Sequence, residues 1–139
     1  MTAQAQDTPR PARTQSLPSR HDFATTVARL KDALASRGLT LFADIDQSAA
    51  AEQAGTSLRP TRLFLFGNPK GGTPAMQANP NAALELPLRA VVWEDDRGAT
   101  HIDYQDAAGV LSSEYGLQPA LVAPLATVRA LLEGVADNA

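Results

Sequence analysis

The residues best placed to do chemistry are Phe66-Gly67-Asn68-Pro69-Lys70-Gly71-Gly72-Thr73-Pro74, where glycine, proline, amide, ammonium and hydroxyl groups follow an apolar run. Thr61 to Phe66 reads as a buried strand, and Gly67 marks its turn. Asn68 can close that turn with its side chain, and Pro69 fixes one backbone angle. Gly71 and Gly72 offer left-handed backbone angles and close approach to a ligand, while Thr73 is placed to cap a short helix from Pro74 toward Asn79. Exposed amides, a helix start and the Lys70 cation together would cradle an anion. Asn68, Lys70, Gly71, Gly72 and Thr73 are therefore the candidate ligand-binding residues. The order is not that of a nucleotide phosphate loop, since Lys70 precedes the glycine pair, and no dinucleotide fingerprint occurs. A strand-to-helix connection whose glycines serve geometry alone is the competing reading.

Other groups carry weaker signals. His21 reads as a solvated residue at a helix start and His101 as a strand residue sharing a face with Asp103, too small a set for a metal site. Glu94, Asp95 and Asp96 read as solvated residues of a hairpin turn. Met76 reads as helix packing rather than a haem ligand. Ser112-Ser113-Glu114 lacks a nucleophile-elbow pattern. No catalytic residues, metal ligands or cofactors are assigned.

Three ordered motifs carry a resemblance: Phe66 to Thr73, then Leu86-Pro87-Leu88-Arg89, then Val92-Trp93-Glu94-Asp95. With Thr26 to Leu30 and Gly38 to Phe42, they resemble the bacterial and archaeal family known as domain of unknown function 302, over about residues 14–135. The resemblance implies a small α+β domain similar to the TATA-binding-protein-like fold, soluble and often dimeric, with no assigned reaction. Two departures stand out. Gln47 follows Asp46 where family members often have histidine, and Glu85 stands where they often have Asp. An amide cannot exchange protons near neutral pH, so any family activity requiring that histidine is in doubt here.

The elements that must position these residues follow from patterning. Residues 1–12 lack buriable periodicity and are expected to form a disordered leader ahead of a single α+β domain at 13–139. Arg13 to Leu17 suits an edge strand. Ser19 and Asp22 suggest a capping box before a helix with Phe23, Val27, Leu30 and Leu34 on one stripe, ended by Gly38. A strand over 39–45, a helix over 47–54 capped by Asp46, and the strand at 61–66 follow. Strands 86–94 and 99–104 form a hairpin turned at Gly98. Asp106 is placed to cap a helical turn reaching Ser112, and a last helix runs to Val135, started or kinked by Pro124. The expected fold is an antiparallel sheet of about four to five strands with two long helices on one face. Strand alternation groups Phe42, Phe64, Phe66, Val91 and Trp93 with Ile102 and Tyr104 on one face. It groups Leu41, Leu63, Leu65, Leu88, Ala90 and Val92 on the other. Both faces are apolar, which predicts a homodimer or another cover for the second face.

Composition bounds the function. Twelve Lys and Arg against 15 Asp and Glu give a net charge of −3, no basic face for nucleic acid, and cysteine is absent. No run of 18 apolar residues and no secretory pattern occur, so a cytoplasmic, membrane-free setting is expected. The leading reading is a non-catalytic module binding a small anionic ligand at residues 67–73. Beside it stand an enzyme using Lys70 with a carboxylate such as Glu94, and a structural subunit whose apolar face binds another protein.

Overall fold

The computed structural model describes residues 9–137. Most of the expected leader, residues 1–8, lies outside the described residues. Five strands form one antiparallel sheet: β1 (Thr14–Pro18), β2 (Thr40–Asp46), β3 (Thr61–Gly67), β4 (Leu88–Glu94) and β5 (Thr100–Gln105), in the order β1-β5-β4-β3-β2. Helix α1 (Phe23–Ser36) links β1 to β2, and α2 (Gln47–Gln53) links β2 to β3. Helix α3 (Pro69–Ala78) and a 3-10 turn (Pro80–Leu84) link β3 to β4. After β5 come α4 (Ala107–Ser113), α5 (Pro119–Val122), a 3-10 turn (Ala123–Leu125) and α6 (Val128–Asp137).

The helices begin where side-chain oxygens can take up otherwise unpaired amides. Asp22, Asp46, Asn68 and Asp106 each accept a backbone N–H at the start of α1, α2, α3 and α4. The cap of α1 is thus Asp22 rather than Ser19, whose hydroxyl instead bonds the Thr26 hydroxyl at 2.8 Å. Gly38, Gly55 and Gly98 adopt φ of 68°, 82° and 84°, the left-handed angles that end α1 and α2 and turn the β4–β5 hairpin.

The core lies between one sheet face and the layer of α1 and α6. Phe64, Phe66, Val92 and Ile102 meet Leu30, Leu34 and Leu132 there, all at most 1% exposed. Arg29 Nε and Nη2 donate to the carbonyls of Val135 and Gly134 at 3.0 Å, clasping the end of α6 to α1. The stretch Pro119–Asp137 has the length and mean hydropathy, 1.4, to cross a bilayer. In the fold it is broken at Pro124 and turns Val122, Leu125, Val128, Leu132 and Val135 into the core.

The face assignment of β4 differs from the alternation expected above. Phe64 pairs with Ala90, Phe66 with Leu88 and Leu63 with Val91. Leu88, Ala90 and Val92 therefore join Phe64 and Phe66 on the helix-covered face, while Val91 and Trp93 join Leu63 and Leu65 on the other. In β2 a bulge between Leu41 and Ala43 puts Leu41 opposite Phe66 but sends Ala43 and Ile45 to the open face. A strand apolar on both sides does not announce its register, so alternation alone could not choose.

Candidate functional site

Asn68 starts α3 five residues earlier than expected. Its Oδ1 accepts Lys70 N at 3.0 Å, and its carbonyl accepts Gly71 N at 2.8 Å and Gly72 N at 3.1 Å. The glycine-rich segment is helix, not an open loop, and neither Gly71 nor Gly72 has positive φ. Their lack of a side chain serves close packing instead. A Cβ on Gly72 would meet Leu86 Cδ1 at 3.3 Å, and one on Gly71 would meet Pro124 Cβ at 3.5 Å. Thr73 does not cap a helix; its hydroxyl donates to the Pro69 carbonyl at 2.6 Å. The amides expected to cradle an anion are thus taken up within the turn.

Two cavities flank this helix start. The larger, about 390 Å3, lies between Phe42, Asn68, Pro69, Gly72, Thr73 and Met76 on one side and Leu86, Pro87, Leu88 and Leu125 on the other. The Leu86–Pro87 peptide is cis. The smaller, about 180 Å3, is lined by Arg37, Leu39, Phe66, Asn68, Gly71, Thr127 and neighbouring apolar residues of α6. Asn68, Leu88 and Leu125 belong to both. Of the five candidate residues, Asn68, Gly72 and Thr73 line the larger cavity and Gly71 the smaller. Lys70 is exposed and lines neither. Arg37, Phe42 and Pro87 carry no binding signal in the sequence, because α1, β2 and the segment before β4 meet here only in three dimensions.

Glu85 anchors the approach to Pro87. It pairs with Arg13 at 3.1 Å and accepts the Tyr115 hydroxyl at 3.0 Å. Burial, then the bond to Glu85, pushes the Tyr115 hydroxyl up from its ordinary value of 10.0.

The opposite end of the sheet holds a second polar cluster. Asp95 is 4% exposed, not a solvated turn residue. Its Oδ1 accepts Arg97 N and Ala99 N at 2.9 Å, and its Oδ2 lies 2.8 Å from His101 Nε2. The bond with His101 is the largest influence holding the Asp95 carboxyl below its ordinary value of 3.8. The His101 ring stacks on Trp93 at 4.4 Å, and Trp93 Nε1 donates to Asp103 at 3.0 Å. This part of the Val92 to Asp95 motif locks a hairpin. Glu94 sits at this end, paired with Thr100, whereas Lys70 follows the far end of β3. The strand between them spans roughly 20 Å, so they cannot act on one small substrate. Gln47, at the start of α2 beyond Asp46, is likewise at the end remote from the cavities.

The family model for Domain of unknown function DUF302 matches residues 15–139. The fold is similar to the crystal structure of an uncharacterized conserved protein DUF302 from Bacillus stearothermophilus. The TM-score is 0.74 at 18% identity, covering 91% of this chain and 98% of that one. The chain is also 41% identical over 90 residues to Fluoride-specific ion channel FluC 1 of Brucella suis biovar 1, covering 65% of this chain and 35% of that protein. FluC 1 of Brucella abortus biovar 1 shows the same identity over 33% of its length. The chain thus spans about a third of the length of the curated relatives it matches. It belongs to the DUF302 family.

Proposed function

We propose that this DUF302 domain is a non-catalytic, cytoplasmic binding module that takes a small, largely apolar molecule into the cleft between α3 and the Leu86–Leu88 segment. One observation carries the reading: two of the three motifs, Phe66 to Thr73 and Leu86 to Arg89, face each other across one apolar space of about 390 Å3. That volume lies within the range of small-molecule sites, and apolar walls with few polar groups are their usual make-up. The acid surplus of the chain argues against nucleic acid.

The test is binding of the neutral apolar dye Nile red to wild type, Met76→Trp and Thr73→Phe. Both substitutions place an aromatic ring in the cleft, the second from an exposed position that does not endanger the fold. Saturable fluorescence enhancement should fall at least tenfold in affinity in both variants. Equal binding by all three proteins would refute the reading.

A second reading, an interaction subunit, is favoured by one finding: the curated relatives carry their similar segment within much longer proteins named as channels. The open sheet face of Leu63, Leu65, Val91 and Trp93 would serve such contacts.

A further inference from the structure

We infer that the ligand of this cleft is a small carboxylate with an apolar body, its head held by Arg37 and Asn68 in the smaller cavity; the inference rests on the cleft reading above. Arg37 is the charged side chain among the residues lining the two cavities, and no carboxylate lines either. In a chain with net charge −3 this local bias is the reverse of the whole. Arg37 ends α1, is exposed, and its guanidinium forms no ion pair or hydrogen bond among the described residues. Asn68 uses its Oδ1 to accept Lys70 N, which leaves its amide NH2 as a donor without a protein partner among the described residues.

A planar guanidinium and an amide NH2 on one cavity wall present donors only, and a carboxylate presents acceptors only. Leu125 and Leu88 line both cavities, so an apolar body extending from that head would run past them toward the larger cleft. A cationic head would meet Arg37 with like charge, and a neutral alcohol would accept from the guanidinium without an opposing charge or a second acceptor oxygen. The anion anchor thus moves from Lys70, which faces neither cavity, to Arg37.

The experiment titrates sodium octanoate, 1-octanol and octylamine into the full chain by calorimetry, using wild type, Arg37→Gln, Lys70→Ala and Met76→Trp. Octanoate should bind wild type at least tenfold more tightly than the other two. Arg37→Gln should erase that preference while leaving octanol unchanged. Lys70→Ala should bind as wild type does, and Met76→Trp should weaken octanoate and octanol together. Equal affinity of wild type for octanoate and octanol, or a preference that survives Arg37→Gln or is lost in Lys70→Ala, would overturn the head assignment. The cleft reading would still stand if Met76→Trp weakened octanol. Failure of all three probes to bind wild type would refute both.

Discussion

Asp95 shows how one carboxylate can hold a turn together. It takes two backbone amides and the His101 imidazole while almost wholly enclosed, so removing its charge weakens three bonds at once. Its folded-state pKa lies below the ordinary 3.8. Such a group contributes stability that is present above the unfolded-state value and lost as pH falls through the folded-state value. Asp44 acts in the same direction: burial pushes its carboxyl up, but bonds from Arg62 at 2.7 Å and Lys31 at 2.8 Å outweigh this and hold it down. Asp95→Asn should therefore lower the urea midpoint near neutrality, with the gap from wild type closing below about pH 4 as the native carboxylate protonates. A gap that stays constant down to about pH 2 would show that the charge at position 95 is immaterial.

At the scale of elements, helix starts and stops were the most legible features. Asp46, Asp106 and Gly38 announce their roles because capping depends on side-chain type at one position. The start of α3 differs from its expected place for a physical reason. Gly71, Gly72 and Pro74 are poor helix formers, and the Asn68 cap together with close packing against Leu86 and Pro124 supports the helix there. The cleft was half legible: Asn68, Gly72 and Thr73 came from one segment, but the wall supplied by Phe42 and Pro87 depends on strand pairing and chain return. The same reasoning separates two helical glycines. A Cβ at Gly134 in α6 meets nothing within 4 Å, so Gly134→Ala should stabilise by about 1 kcal/mol through helix propensity. A Cβ at Gly109 in α4 would collide with the Asp106 carboxylate, so Gly109→Ala should destabilise by about 1 kcal/mol through loss of the cap. Thermal melts of the two variants, shifted in opposite directions, check both; a shared direction would contradict them.

For the whole molecule, the question is what lies against the side of the sheet left open by the described residues. Ile45 is 39% exposed there, beside half-buried Leu63, Leu65, Val91 and Trp93. We propose that a second copy covers this side, an isologous arrangement common among small domains. Sedimentation at micromolar concentration should give twice the 14.7 kDa chain mass, and Leu65→Asp should halve it. A wild-type monomer would leave that side to a different partner.

The position of β1 at the sheet margin has a kinetic consequence. Its Thr14 pairs with Gln105, about 90 residues along the chain, whereas β4 and β5 are joined by a tight hairpin. Closing so long a loop costs more chain entropy than any other strand pairing in the sheet. The four strands β2 to β5 can therefore assemble first, with β1 sealing the finished margin. Substitutions that weaken β1, such as at Leu17, then act mainly on how fast the native state comes apart and little on how fast it forms. Stopped-flow measurements on Leu17→Ala should therefore show faster unfolding with a nearly unchanged folding rate, and an equal slowing of folding would place β1 among the strands that form early.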